Sequence, residues 1–285
     1  MTILVLGGNG YVGKKVSSML AARGDDVICT VRDTKIRDGL NSDKIKCLPA
    51  SSDAIEAALR YCDIDVVVNC ACNYGRSVSL YGDVIEANIE FPLKVLDLVA
   101  SKGVKKYITI GTGLPDEINM YSYSKKMFSE FGKFYTDKKD ICFVNLKLEM
   151  LYGADEPSDR FLPSTIRKAI KGVDIDMTEG TQHRDIIAIK DILDAIVAVI
   201  DADLEGYKEI DIGTGEAPTI YEIVKYIAEL GGNKSAVNRG KVVLRRTEPD
   251  CVADVTEISK ITNWNPVSWK DGLKEMFQKI EEGES

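Results

Sequence analysis

The sequence predicts an α/β protein built on a doubly wound parallel sheet and followed by a smaller C-terminal lobe. Three observations support this fold class. Apolar runs alternate with segments of helical periodicity through the first half of the chain, the first run ends directly in glycines, and the alternation stops after about residue 154. Uninterrupted apolar runs are typical of strands buried on both faces of a parallel sheet, which helical crossovers connect with right-handed geometry.

The first strand, Ile3–Leu6, passes through a glycine turn into a helix that ends at Arg23-Gly24. The turn has the spacing G-x-x-G-x-x-G at the point where the strand becomes a helix, which is the context in which such glycines bind a dinucleotide pyrophosphate. Backbone amides and the helix dipole face an anion there. We therefore predict a cofactor loop made of Gly7, Gly10, Tyr11, Val12 and Gly13.

The second strand, Val27–Val31, is followed by Arg32 and Asp33. At this strand end an acidic side chain favours the ribose 2′-hydroxyl of NAD, whereas an arginine favours the 2′-phosphate of NADP. Because Val31 takes the place expected for the acid and Arg32 comes next, NADP(H) is favoured over NAD(H). The alternative is that Arg32 is a solvated loop charge and Asp33 is the acid.

The alternation continues with further strands and helices. The pattern predicts a strand at Ile45–Leu48, a helix at Asp53–Arg60, a strand at Asp65–Cys70, a helix at Asp83–Ser101 interrupted by Pro92, and a strand at Lys106–Ile110. Ala71 follows the strand predicted at Asp65–Cys70. Its small side chain suits a point where the cofactor passes close to the backbone, and we expect Ala71 to contact the cofactor.

Tyr121 and Lys125 begin the next predicted helix and are four residues apart, so they share one helix face. A phenol with a pKa of about 10 is a poor acid or base at neutral pH. An adjacent ammonium group stabilises the phenolate and lowers the phenol pKa toward a useful range. Tyr123 has Met127 in the equivalent position, so Tyr121 is the candidate proton donor.

After Ala154 the pattern becomes irregular. Helices are predicted at Phe161–Gly172, Thr219–Leu230 and Ser268–Glu282, and segments Ile186–Ile189 and Lys208–Ile212 are predicted to return to the main sheet. The predicted domains are 1–150 plus roughly 186–212 for the cofactor, and roughly 151–185 plus 213–285 for the substrate.

Composition narrows the function further. The chain of 285 residues has a net charge of -8, which argues against nucleic acid as a partner because such proteins need a basic surface. No apolar run approaches the roughly 20 residues of a membrane span, so we expect a cytoplasmic protein without membrane contact. The 7 cysteines form no C-x-x-C pair and the chain has 1 histidine, so we expect reduced thiols and no metal site.

These motifs resemble the extended short-chain dehydrogenase/reductases, a group of nucleotide-sugar epimerases, dehydratases and reductases with a Rossmann fold. The resemblance rests on GGNGYVG, on Thr112 at the position of the catalytic Ser or Thr, on Tyr121 with Lys125, on Asn88, and on Arg184-Asp185. It implies a catalytic set of Thr112, Tyr121 and Lys125, with Asn88, Tyr121 and Lys125 also at the cofactor site.

Two departures from the family narrow the resemblance. Thr112 is followed by Gly113-Leu114 rather than by the Asp-Glu pair of 4,6-dehydratases, and Met150 replaces an asparagine that many epimerases use for substrate. Other short stretches are similar to the 4-ketoreductases of the CDP-paratose and CDP-abequose synthase type. The resemblance implies a nucleotide-diphosphate sugar as substrate, bound by Tyr74, Arg76, Arg184 and Arg246.

Three functions remain open from the sequence. The first is an NADPH-dependent reductase of a nucleotide-linked 4-keto-6-deoxyhexose, and the second is a nucleotide-sugar 4-epimerase with retained NAD. The third is an NADP(H)-binding regulator without turnover, against which the intact Thr112, Tyr121 and Lys125 set argues. The resemblance also implies a homodimer formed through the helices at 83–101 and 121–138.

Overall fold

A computed structural model describes residues 1–33, 39–75, 80–138, 140–243 and 249–283. The chain forms two compact units. The first comprises Met1–Lys147 and Ala195–Ile210, and the second comprises Leu148–Asp194 and Asp211–Ser285.

A seven-stranded parallel sheet organises the first unit and confirms the predicted fold class. Its strands are β1 (Thr2–Leu6), β2 (Asp26–Val31), β3 (Ile45–Pro49), β4 (Val66–Asn69), β5 (Lys106–Thr112), β6 (Cys142–Leu148) and β10 (Tyr207–Ile212). They lie in the order β10-β6-β5-β4-β1-β2-β3. Since the chain steps outward from β1 in both directions, the C-terminal ends of β1 and β4 lie side by side, where ligands of doubly wound sheets bind.

The helices that precede β6 agree with the predicted alternation. They are α1 (Tyr11–Arg23), α2 (Ser52–Ala58), α3 (Tyr81–Ile85), α4 (Phe91–Ser101) and α5 (Met120–Lys138). The helix α7 (Ile189–Asp201), which precedes β10, was not predicted. The predicted helix over 83–101 is divided in two by a π-helical turn at Glu86–Glu90, which ends immediately before α4. Pro92 lacks the N–H that would continue the regular ladder, so the interruption falls at the residues that precede it.

Aromatic packing joins α5 to β5 and β6 in the core of the first unit. Tyr107, Phe128 and Phe143 are fully buried, and the rings of Tyr107 and Phe143 stack with centroids 5.5 Å apart. A Cβ on Gly132 would lie 2.2 Å from the Phe143 ring, so this glycine allows the close approach of α5 to the sheet. That packing fixes α5, the helix that bears Tyr121, against β5 and β6.

In the part of the second unit that the structure describes, there are two short two-stranded sheets and three longer helices. They are β7 (Met150–Tyr152) with β9 (Ile186–Ala188), β8 (Ile175–Asp176) with β11 (Val237–Asn238), and α6 (Phe161–Lys171), α8 (Ile220–Leu230) and α10 (Trp269–Glu281), besides the short α9 (Thr256–Ile261). The prediction that Ile186–Ile189 joins the main sheet is wrong. Ile186–Ala188 pairs with β7, and residues 186–194 belong to the second unit rather than the first.

The reason for this error is that a short apolar run does not indicate its partner strand. Ile186 and Ile187 are completely buried, as a strand of the main sheet would be. Their burial comes instead from the core of the second unit, where Ile186 packs with Leu162, Ile223 and Leu273. Within the described residues, none of the helices combines the length and apolar character needed to cross a membrane.

Candidate active site

The glycine loop between β1 and α1 is held in place by β2. Gly7 N donates to Thr30 Oγ1 at 3.1 Å, and Gly8 N donates to Thr30 O at 2.8 Å. Gly7 has a φ of +80°, in the left-handed region that favours glycine. The shape of the loop therefore depends both on its glycines and on a neighbouring strand.

Backbone segments approach one another closely at the glycines of this loop, as is typical of a site that binds a dinucleotide pyrophosphate. A Cβ on Gly7 would lie 2.8 Å from Ala71 Cα, and a Cβ on Gly13 would lie 2.3 Å from Gly7 O. Gly10 precedes α1, and among the described residues no side chain caps this helix start. Amides at an uncapped helix N-terminus bind anions, so Gly7, Gly10 and Gly13 suit the close approach of a phosphate to backbone.

The other predicted cofactor residues around the loop differ in exposure. Tyr11 and Val12 are the first residues of α1 and are partly buried, and Lys15 Nζ lies 5.0 Å from the centre of the Tyr11 ring. Val31 at the end of β2 is buried, whereas Arg32 is exposed. The guanidinium of Arg32 is thus in solvent directly after the strand that holds the glycine loop.

Lys125 is linked to the end of β4 through Ala71. Lys125 is 5% exposed, and its Nζ donates to Ala71 O at 3.3 Å. Ala71 N in turn donates to Asn69 Oδ1 at 3.1 Å, and Asn69 Nδ2 donates to Thr109 Oγ1 at 3.2 Å. The structure therefore brings the predicted cofactor residues Ala71 and Lys125 together. Asn69, which the sequence analysis missed, orients the peptide that joins them.

Tyr121 and Thr112 lie at the start of α5 and at the end of β5. Asn119 precedes α5, and its Oδ1 accepts a hydrogen bond from Ser122 N at 2.9 Å, which stabilises the first turn. Thr112 Oγ1 accepts from Leu114 N at 3.2 Å. The Tyr121 ring packs against the ring of Tyr74, with centroids 4.9 Å apart.

A polar cavity of about 320 Å³ lies in the first unit beside these residues. Its lining includes Thr112, Lys125, Asn145, Lys147 and Glu209. Burial acts to raise the pKa of Glu209, but hydrogen bonds from Tyr207 and Asn145 and nearby lysines outweigh burial and hold this pKa below its ordinary value. Glu209 is therefore ionised at neutral pH, and Lys147 Nζ lies 3.6 Å from its carboxylate.

Asn88 lies in the π-helical turn and is 1% exposed. Its Oδ1 accepts from Asn73 N at 2.7 Å, and its Nδ2 donates to Asn73 O and to Ser124 Oγ, both at 2.9 Å. The side chain thus fastens the loop after β4 to α5. A contact between Asn88 and cofactor stays a prediction.

Arg184 belongs to the second unit and is mostly buried. Its guanidinium donates to His183 O at 3.1 Å and also to Pro249 O. These two bonds orient the guanidinium, which carries five N–H groups. The two other arginines of the predicted substrate set, Arg76 and Arg246, lie outside the described residues.

Asp185 is a structural residue that the sequence analysis did not single out for this role. Its completely buried carboxylate accepts from Thr214 N at 2.8 Å, Thr214 Oγ1 at 2.7 Å, Gly215 N at 2.8 Å and Ala253 N at 3.3 Å. These bonds join three segments of the second unit beside Arg184. The sequence signal that could have revealed this role is an acidic residue directly before an apolar strand, because a buried carboxylate needs several hydrogen-bond donors.

Comparison with known proteins decides the family. Residues 3–213 match the NAD dependent epimerase/dehydratase family. The chain belongs to this family. As predicted from its motifs, this epimerase/dehydratase family member is an NAD(P)-dependent enzyme of the extended short-chain dehydrogenase/reductase type.

Among curated relatives, the family member is 26% identical over 292 residues to CDP-abequose synthase of Salmonella muenchen, with 96% of each chain covered. It is 24% identical over 315 residues to UDP-glucose 4-epimerase of Lactobacillus helveticus, covering 93% of this chain and 92% of the relative. The UDP-glucose 4-epimerase structure from Thermotoga maritima with UDP-glucose superimposes with a TM-score of 0.87 at 19% identity and covers 100% of both chains. The Thermus thermophilus UDP-glucose 4-epimerase complex with NAD gives a TM-score of 0.80 at 20% identity, covering 98% and 99%.

Proposed function

We propose that this family member is an NADPH-dependent reductase of a nucleotide-linked 4-keto-6-deoxyhexose. The observation that carries the proposal is its similarity to CDP-abequose synthases over nearly the whole length of both chains. Thr112, Tyr121 and Lys125 are retained in order, as a carbonyl reduction requires. The exposed Asp116 and Glu117 come four and five residues after Thr112 rather than directly after it, which disfavours an elimination of water.

In the proposed reaction a reduced nicotinamide, when bound, supplies hydride to the ketone carbon. The Tyr121 hydroxyl donates its proton to the carbonyl oxygen as that oxygen gains charge. Lys125 stabilises the resulting phenolate with its positive charge, and the Thr112 hydroxyl orients the carbonyl by a hydrogen bond. The glycine loop would hold the pyrophosphate of the cofactor, and the planar guanidinium of Arg184 would bind the substrate diphosphate.

NADPH consumption tests this proposal. Purified protein is incubated with CDP- and dTDP-linked 4-keto-6-deoxyhexoses, and cofactor oxidation is followed together with the reduced sugar product. We expect stoichiometric loss of NADPH. The alternative of a 4-epimerase, favoured by the similarity to UDP-glucose 4-epimerases, predicts tightly retained NAD and interconversion of sugars without added NADPH. That result would contradict the reductase.

The preference for NADPH is proposed to depend on the exposed Arg32. Because a hydrogen bond between charged groups contributes about 1.5–3 kcal/mol, Arg32→Ala is expected to lower kcat/KM with NADPH by about 10- to 100-fold. The kcat/KM with NADH should change little, since the ribose 2′-hydroxyl of NADH lacks the charge of the 2′-phosphate. Arg60→Ala, which removes an exposed arginine on α2's C-terminal side, is the matched control. An unchanged ratio of NADPH to NADH efficiency would favour the interpretation in which Asp33 binds the ribose of NAD.

A homodimer formed through α3, α4 and α5 is also proposed. Large apolar side chains are exposed on α3 and α5 and just before α3, namely Leu80, Tyr81, Ile85, Phe131 and Phe134. Contiguous exposed apolar surface is typical of a protein interface, and a second copy of the same helices would cover it with matching chemistry.

Phe134→Glu is expected to weaken this dimer because it places a charge within an apolar interface. Since aromatic interface residues often contribute 2 kcal/mol or more, we expect the dissociation constant to rise at least about tenfold. Sedimentation velocity over a concentration series measures this change. Tyr61→Glu alters an exposed aromatic residue elsewhere on the first unit and is the control. A wild-type protein that is monomeric at all concentrations would contradict the proposal.

A further inference from the structure

The Tyr74 ring lies directly against the predicted proton donor. The centroids of the Tyr74 and Tyr121 rings are 4.9 Å apart, and the ring planes are tilted by 41°. Aromatic pairs attract at this separation when they are offset or tilted. Tyr74 is 47% exposed, so part of its ring contacts protein and part contacts solvent. The Tyr74 ring therefore covers one side of the Tyr121 side chain.

The backbone that carries Tyr74 is fixed by a single buried amide. Asn88 accepts from Asn73 N and donates to Asn73 O, so both backbone polar groups of the residue before Tyr74 are bound by one side chain. Asn73 Oδ1 also accepts from Gly75 N at 2.9 Å, which closes a turn around Tyr74. Tyr74 is thus held in place from both sides along the chain.

The same amide reaches the helix that carries Tyr121. Asn88 Nδ2 donates to Ser124 Oγ, and Ser124 Oγ donates to Tyr121 O at 2.8 Å. A continuous set of hydrogen bonds therefore connects the backbone before Tyr74 with the backbone of Tyr121. This set limits relative movement of the two aromatic residues, because moving either segment away would break a hydrogen bond that is buried or partly buried.

We propose that Tyr74 is a positioning residue whose ring, rather than its hydroxyl, holds the Tyr121 phenol in the orientation needed for proton transfer. The inference rests on the proposed function, in which Tyr121 is the proton donor. Without the ring, the Tyr121 side chain gains rotational freedom and contact with water. Both changes reduce the fraction of enzyme with the phenol oriented toward the carbonyl oxygen. This role differs from the substrate contact that the sequence resemblance implies for Tyr74.

Kinetics of Tyr74→Phe and Tyr74→Leu separate the ring from the hydroxyl. We expect Tyr74→Phe to keep kcat within about twofold, and Tyr74→Leu to lower kcat by about tenfold or more with little change in the substrate KM. The pH dependence of kcat should also shift in Tyr74→Leu, because the phenol becomes more solvated, and remain unchanged in Tyr74→Phe. Tyr61→Leu, at an exposed tyrosine after α2, controls for loss of an aromatic side chain.

A second measurement needs no substrate. The 12 tyrosines are replaced by 3-fluorotyrosine, and Tyr121→Phe identifies the Tyr121 resonance in the fluorine NMR spectrum. We expect Tyr74→Leu to shift this resonance and the midpoint of its pH titration, and Tyr61→Leu to leave both unchanged. Asn88→Ala should shift the resonance in the same direction, since it releases the loop that carries Tyr74.

Two outcomes would overturn the inference. An unshifted Tyr121 resonance in Tyr74→Leu would show that the ring does not position the phenol. A rise in substrate KM that is equal in Tyr74→Phe and Tyr74→Leu would assign the hydroxyl to substrate binding instead. If no keto-sugar is reduced by the wild-type protein, the proposed reaction fails, whereas the fluorine resonance still decides whether Tyr74 positions Tyr121.

Discussion

Tyr121→Phe is expected to lower kcat for ketone reduction by about 10²- to 10⁴-fold, the range typical for loss of a general acid. The substitution removes only the hydroxyl, so the ring contact with Tyr74 and the packing of α5 are kept. The dissociation constant for NADPH should change far less than kcat, because Lys125 and the Tyr121 ring remain at the predicted cofactor site and the proton-transfer interaction forms only when charge develops on the substrate oxygen.

Stopped-flow or steady-state measurement of NADPH oxidation gives kcat, and fluorescence titration gives the cofactor affinity. Tyr123→Phe is the matched control, since it removes a phenol from the same helix at a position that is about half exposed and has Met127 rather than a lysine one turn later. Full turnover by Tyr121→Phe would remove the basis for the assigned chemistry.

Gly13→Ala is expected to raise the NADPH dissociation constant by at least about 100-fold, because a displacement of about 1 Å at a binding backbone can cost this much. The new Cβ would lie 2.3 Å from Gly7 O and 2.9 Å from Gly7 C, which are backbone atoms that cannot turn aside as a flexible side chain can. Either α1 or the glycine loop must move, and the amides of the helix start then no longer face the pyrophosphate. Overpacking of this kind also lowers the free energy of unfolding, by about 1–3 kcal/mol.

Thermal unfolding with and without NADPH separates these two effects. Stabilisation by a ligand depends on the ratio of its concentration to its dissociation constant. The variant should therefore unfold cooperatively at a lower temperature and gain almost nothing from NADPH. Gly82→Ala is the control, since a Cβ at this helical position in α3 meets no atom of the described residues within 4 Å. Wild-type stabilisation of Gly13→Ala by NADPH would show that the loop does not bind the cofactor.

Features of the chain that depend on contiguous residues could be predicted from the sequence. The glycine loop is one example, because a buried strand, a turn that needs glycine and a helix start follow one another within 13 residues. The shared face of Tyr121 and Lys125 is another, since it requires only that their segment be helical. For the same reason the alternation of strands and helices was sufficient to predict the fold class, and the proline at 92 indicated where the helix would be interrupted.

Other features depend on which distant segments meet, so they could not be predicted before the folded chain was known. Ile186–Ala188 has the composition of a main-sheet strand but pairs with Met150–Tyr152, because its burial comes from the helices of the second unit. The Lys125 contact with Ala71 spans 54 residues, and the Asn88 bond to Ser124 spans 36. The kinds of residue available for cofactor binding and proton transfer could therefore be read from the chain alone, since local periodicity and side-chain chemistry are properties of short segments. Tertiary packing decided which of them are held together, because a side chain's partners depend on chain segments that approach one another only when the protein folds.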